Sequence, residues 1–374
     1  MAFLPRLSFI LLMRTRLVLF WLALALAIGI AGCEAAPTKK AFDLSYKHLP
    51  EHPLFALSVA DACIVVLDAD ARQVVGTIKS PQFNASTDIE LNARHELVAT
   101  IDADADHDYR EILFLDPAKG EERARVTVAW APVRLGISAA DALLVGHTLE
   151  KSSNGHFDLS LLDGEKHQLI TELEIDGYVG DMLFDGNRAY VAQVAVQPDK
   201  SSGILVYDLQ KMRQLAFHPI PQSPGQAPLS PASLALAGEG SLYINLFQFD
   251  EHSPCQQRGQ LVRMDLASGQ VTNLMTLDDV GPMVRTSGSD LLIGESCGAR
   301  QGKLLRIAPE RGEIVQSWEL GPGISDIRPL AEDRFAISIF EDSAIAFFDA
   351  RTWELQEKVR LPCVWPEQLA ASQF

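Results

Sequence analysis

Short runs of consecutive apolar residues, each followed by a polar turn and a second run, recur along most of this chain. Cys63 to Ile78, CIVVLDADARQVVGTI, is the sharpest example. It reads as an apolar strand from Cys63 to Leu67, a turn opened by Asp68, and a second strand from Val74 to Ile78. The turn-opening position returns as Asp116, Asp163, Asp208, Asp265, Ala308 and Asp349, so the unit occurs seven times. An additional apolar run precedes each copy, as in Glu96 to Ile101 and Ala189 to Val194, and a fourth follows, as in Ala124 to Ala129 and Val315 to Leu320.

Four short strands in each unit of roughly 40 to 50 residues is the layout of propeller blades. The pattern therefore predicts an all-β fold, a seven-bladed β-propeller of four-stranded blades over residues 53–374. The middle strands are apolar at consecutive positions, as in Ile112 to Leu115, because stacking blade on blade covers both of their faces. No stretch beyond the N-terminal segment shows sustained helical periodicity. The turn aspartates are read as turn chemistry, since an Asp opening a hairpin accepts hydrogen bonds from amides two residues on.

The closure of the ring is also legible. Pro366 to Phe374 (PEQLAASQF) parallels Pro231 to Ala237 (PASLALA), the innermost strand of the fifth unit, and lacks three outer strands. The first unit, Pro53 to Ile78, is expected to supply them, pairing the two ends and removing a sheet edge. Phe42 to Tyr46 is the alternative source of the first inner strand.

The N-terminal segment has a different character. Arg14 and Arg16 precede an apolar run from Leu17 to Ile30 that is short for a membrane span and reads as a secretory signal. Ile30-Ala31-Gly32-Cys33 resembles the lipobox of bacterial lipoproteins, which implies cleavage after residue 32 and lipidation of Cys33. The expected organisation is a signal peptide over 1–32, with Met13 a possible true start, an anchor and tether over 33–52, and the propeller thereafter. Glu34 after the cysteine implies the outer membrane of the bacterial cell envelope. The net charge of −17 becomes −20 when Arg6, Arg14 and Arg16 leave with the signal. Such an acidic chain is repelled by nucleic acid, so the expected partners are the membrane, through the lipid, and a protein.

The units resemble the YVTN-type seven-bladed β-propeller family, with Ile64 to Ile78 (IVVLDADARQVVGTI) closest to its strand-turn-strand signature. The resemblance spans about residues 53 to 374, and the later units depart from it by insertions before their third strands. It implies a fold used mostly for binding and scaffolding, with some enzymes.

Four cysteines remain besides Cys33, an even number in an oxidising compartment. In a propeller the loops carrying them share one face, which predicts Cys63 with Cys363, sealing the ring, and Cys255 with Cys297; free buried thiols are the alternative. Asp102, Asp104, Asp106 and Asp108, with Glu111 beyond, alternate in a way that lets a curled loop converge on one Ca²⁺, a solvated acidic loop being the other reading. The first strands of the units carry Asp88, Glu90, Arg134, Asp181, Arg285, Asp326 and Arg328, which are expected to line a central channel and either hold a polar ligand or pair with one another. Long insertions on one face suggest a partner surface. The chain has no C-x-x-C-H, H-E-x-x-H, G-x-S-x-G or phosphate-binding Gly loop. The expectation is a lipid-anchored binding or scaffold module acting through its loop-rich face. The alternative is a propeller enzyme of the lactonase or hydrolase kind, with a metal or acidic site at the channel mouth.

Overall fold

Each strand is short because a radial blade is narrow, and each middle strand is apolar throughout because a neighbouring blade covers either face. The structure, a computed structural model, describes residues 42–83, 87–101, 110–147, 157–195, 199–222, 228–238, 240–248, 259–295, 302–331 and 333–371. They form seven antiparallel sheets with no helix among the described residues. Blade 2 runs outward from the axis as Ile89–Leu91, Leu97–Ile101, Glu111–Asp116 and Glu121–Thr127. Blades 3 to 7 repeat this order, with Pro132–Ile137, Gly177–Asp185, Leu229–Gly238, Met283–Arg285 and Ile324–Pro329 as their inner strands.

Blade 1 shows how a continuous apolar run serves two interfaces. Leu54, Ala56, Val65 and Leu67 pack on Ala336, Ile345 and Phe347 of blade 7. Their neighbours in sequence, Phe55, Leu57, Ile64 and Val66, pack on Ile89, Leu97, Ala99 and Leu113 of blade 2. Alternation along the strand persists, but both faces are core. Burying a side chain of this kind contributes roughly 1.5–3 kcal/mol, so the blade stacking is the main source of cohesion.

The recurring turns behave as the aspartates predict. Asp68 Oδ1 accepts from the amides of Asp70 and Ala71 at 3.0 and 2.9 Å. Asp116, Asp163, Asp208, Asp265 and Asp349 cap their turns likewise. Four residues after each marker the backbone turns left-handed, at Arg72, Gly120, His167, Met212, Gly269, Gly312 and Trp353. That residue accompanies a register shift in the following strand pair, as between Val66 and Leu67, which is how a bulged hairpin absorbs its extra residue. Where Ala308 lacks a carboxylate, the Arg311 amide bonds the Ala308 carbonyl instead, at 3.1 Å.

The ring closes through blade 1. Its inner strand is Pro366–Ala371, paired with Pro53–Ser58 in the register Leu54↔Ala371 and Ala56↔Leu369. Cys63–Asp68 and Gln73–Lys79 follow outward. The Cys63–Cys363 disulfide, joining residues 300 apart in sequence, lies at this seam. Phe42 to Tyr46 does not supply an inner strand. Asp43–Leu44 instead pairs with Gln73–Lys79 as a fifth strand on the outer edge of blade 1. The inner position is already filled by Pro366–Ala371, whereas the outer edge offers unpaired ladder groups. From there the segment reaches blade 2: the Phe42 amide bonds the Gly120 carbonyl at 3.3 Å and the Tyr46 hydroxyl donates to the Pro117 carbonyl. Phe42 also stacks on Phe83, with ring centroids 5.9 Å apart.

Candidate functional site: the axial channel

In six inner strands the polar residue that faces the axis immediately precedes an apolar one. These are Gln368 in blade 1, Asp88 in blade 2, Arg134 in blade 3, Asp181 in blade 4, Ser233 in blade 5 and Asp326 in blade 7. Glu90 and Arg328 lie two residues further along their strands and so face the same way. Together with Arg285, they line one channel of about 980 Å³. All seven charged residues expected at the axis are therefore brought to it.

The three aspartates are fasteners between blades. Asp88 accepts from its neighbour Ile89 at 2.8 Å and, through Oδ2, from the amide of Leu135 in blade 3 at 2.9 Å. Asp181 accepts from Met182 and from Leu234 of blade 5, both at 2.8 Å. Asp326 accepts from Leu369 of blade 1 at 2.8 Å. Between blades 5 and 6 the corresponding fastener is neutral, with Ser233 Oγ donating to the Gly281 carbonyl at 3.0 Å. Burial pushes the Asp88 carboxyl up against the pull of Arg134 and the amide bonds, and burial raises Asp181 to about 6.

Deeper in the channel Glu90 and Arg328 form a two-pronged pair, with the two guanidinium nitrogens 2.8 and 3.2 Å from the carboxylate oxygens. Asp326 adds a second carboxylate 3.8 Å from Arg328. Desolvation lifts the Glu90 carboxyl to about 7 despite Arg328, and the surrounding carboxylates hold the Arg328 guanidinium charged. Arg328 Nε is buried without a partner among the described residues, as is Arg285 Nε. Arg285 donates through a terminal nitrogen to Ser289 Oγ at 2.9 Å.

Arg134 is different. It lines the channel half-buried, yet its guanidinium makes no hydrogen bond or ion pair among the described residues. Its charge acts at longer range on Asp88, Asp181, Tyr178 and Glu367. The Gln368 carboxamide, also on the channel wall, likewise has no hydrogen-bond partner among the described residues. Neutral Gln368 and Ser233 carry no charge to single them out in the sequence. Their shared offset before an inner-strand apolar residue was the signal that would have found them.

Several other expected positions are not tested by the channel. Asp102, Asp104, Asp106 and Asp108 lie outside the described residues, as do Cys33, Cys255 and Cys297. Glu111 opens the third strand of blade 2 and is ion-paired with Arg125, which also holds Glu122. The insertions 102–109, 148–156, 196–198, 249–258 and 296–301 all connect the second and third strands of their blades and are likewise outside the described residues. In antiparallel blades those connections share an end with the starts of the inner strands, which is the end of the channel nearest Arg134. His147, buried on blade 3, bonds the Trp130 carbonyl through Nδ1 and Ser160 Oγ through Nε2, both at 2.8 Å. Burial lowers its pKa to about 4, which makes it a neutral structural imidazole.

No family model matches the chain, and no curated protein matches its sequence. Solved structures do match its architecture. Apo AztD from Citrobacter koseri is 14% identical with a TM-score of 0.52, over 86% of this chain and 98% of that one. The likeness is one of fold. A putative 6-phosphogluconolactonase from Bacteroides fragilis is 11% identical with a TM-score of 0.60, over 86% of this chain and 98% of its own. Dihydro-heme d1 dehydrogenase NirN, solved with DHE, is 14% identical with a TM-score of 0.56, over 90% and 83%. Proteins with such different names share this ring, so the architecture selects no activity.

Proposed function

We propose that this protein is a membrane-tethered binding module of the bacterial cell envelope, anchored through Cys33 at the outer membrane, that uses the rigid ring as a scaffold for a polar ligand and a protein partner. The observation that supports binding over catalysis is how Asp88, Asp181 and Asp326 are used: each carboxylate holds an amide of the next blade. An acid in that position has its oxygens committed to structure, and freeing it would leave a buried amide unpaired. The long connections at the loop-rich end supply surface for a partner, and the charge of −17 favours a basic one.

Crosslinking and co-purification from native membranes, with and without a calcium chelator, test this reading. Recovery of one stoichiometric protein supports it, and loss of that protein on chelation would bring the acidic run from Asp102 to Glu111 into the interface. Replacement C33S is expected to release the chain from the membrane fraction. An intact, membrane-bound protein that captures nothing and binds no small molecule would overturn it.

A second reading, a lactonase or hydrolase, is favoured by one observation. Glu90 faces the lumen of the channel, and burial raises its carboxyl to about 7 against the pull of Arg328, toward the range in which a carboxylate serves as a general base. Turnover of a lactone panel that E90Q abolishes, with the fold retained, would establish that reading in place of the first.

A further inference from the structure

Among the described cations of the channel wall, one is not bonded by its described neighbours. Arg328 is gripped by Glu90, Arg334 donates to Asp70 at 3.1 Å, and Arg285 donates to Ser289. Arg134 has no such contact among the described residues, although four acidic groups sense its charge. The reason is geometric. Asp88 and Asp181 flank it in the adjacent blades, and their oxygens are turned to the amides of Leu135 and Leu234. They balance the guanidinium electrostatically without occupying its five donors.

A half-buried guanidinium whose donors meet no acceptor among the described residues, facing a lumen of about 980 Å³, is an unmet demand for a bidentate acceptor. Gln368 stands at the same level of the ring, since Arg134 and Gln368 each directly precede a residue whose amide is fastened, Leu135 and Leu369. Its carboxamide supplies a donor and an acceptor, and it is also unbonded among the described residues. The lumen is large enough for a small organic molecule, and Arg134 and Gln368 lie near the starts of their inner strands, Pro132–Ile137 and Pro366–Ala371.

We propose that Arg134 anchors an oxyanion site on the channel wall near the starts of the inner strands, which binds a small molecule through a carboxylate or phosphoryl group with Gln368 as its second polar contact. The proposal rests on the binding reading above and gives it a ligand class. Arg134 clamps the oxyanion, Gln368 selects for a hydrogen-bonding group beside it, and the aspartate fasteners keep both side chains on fixed strands. Glu367, close enough to feel Arg134, disfavours ligands that carry excess negative charge past the anchoring group.

The test is calorimetric titration of the full chain with inorganic phosphate and, separately, with succinate, at an ionic strength held constant with chloride. Saturable binding by either is expected, and the ion that binds more tightly identifies the group as phosphoryl or carboxylate. R134Q is expected to weaken that binding by about 10- to 100-fold, the range for losing a charge-assisted contact, with an unchanged circular dichroism spectrum. R134K keeps the charge but loses the fork, and Q368A loses only the second contact; each is expected to weaken binding several-fold, which keeps the site testable if R134Q does not fold. Failure of both ions to saturate in the millimolar range, or equal affinity in R134K and the unmodified chain, overturns the site. Co-purification with the unmodified chain separates the two readings: a partner recovered while neither ion binds sinks this proposal alone, and oxyanion binding without a partner leaves it standing.

Discussion

Asp326 Oδ2 accepts a 2.8 Å hydrogen bond from the backbone amide of Leu369, across the seam where blade 7 meets the C-terminal strand of blade 1. The same contact joins Asp88 to Leu135 and Asp181 to Leu234. Aspartates thus fasten the ring on its inner wall at three of its blade boundaries, one of them the seam, and Ser233 fastens a fourth.

Removing the seam fastener is expected to destabilise the fold by about 2 kcal/mol, because D326A leaves a buried amide without an acceptor. D326N keeps an oxygen in place and should lose less. Urea denaturation of the two variants checks the order. Equal stability of D326A and the unmodified chain would show that the contact does not hold the seam.

The disulfide at the same seam makes a separate prediction. Cys63 and Cys363 are 300 apart in sequence, and replacing both with serine is expected to cost up to about 6 kcal/mol by the loop-entropy account. Peptide mapping without reduction should recover the Cys63 and Cys363 peptides as one species, and a reductant should lower the melting temperature. A melt that does not respond to reductant would remove the disulfide from the stability of the ring.

The hairpin turns predict opposite signs at equivalent positions. Met212 holds a left-handed φ of 51° and is 46% exposed, so M212G should stabilise by about 1 kcal/mol through relief of the Cβ penalty. Gly120 sits at the same point of its turn with φ 66°, and an added Cβ would come within 2.8 Å of the Leu44 side chain. G120A should therefore destabilise, through backbone strain and displacement of the outer strand at Asp43–Leu44. Thermal melts of the pair read the contrast directly.

Buried titratable groups give the stability two opposing pH dependences. Asp181 and Glu90 have folded values of about 6 and about 7, above their ordinary 3.8 and 4.5. Their contribution is complete below about 4 and is lost as pH rises through 6 to 7. His147 is the reverse, lowered from 6.5 to about 4, so its contribution is complete above 6.5 and is lost as pH falls through 4. D181N should flatten the loss of stability on the alkaline side of this window, and H147Q the loss on the acidic side. Denaturation midpoints between pH 4 and 8 test both, and identical slopes in D181N and the unmodified chain would contradict the assignment to Asp181.

Much of this was legible in the chain itself, and for a local reason. A strand-turn-strand unit needs only a few consecutive residues, so Asp68 and its six counterparts announced the blades and their turns. Seven copies with an unmatched strand at the C-terminal end also announced the closure, and with it the neighbourhood of Cys63 and Cys363. Period-two spacing placed Glu90 with Asp88, and Arg328 with Asp326, on the axis.

What the tertiary structure decided depends on how separate blades meet. The same sequence pattern fits Phe42 to Tyr46 inside or outside blade 1, and only occupation of the inner position by Pro366–Ala371 put it on the outer edge. Nothing in the spacing of Asp88, Arg134 and Asp181 distinguishes a fastener from a free charge. That distinction comes from the register between neighbouring inner strands, which brings the amides of Leu135, Leu234 and Leu369 to the three aspartates and leaves Arg134 without a bonded partner among the described residues. A carboxylate's role is set by the donors that reach it, and those donors lie some forty to fifty residues away in the chain.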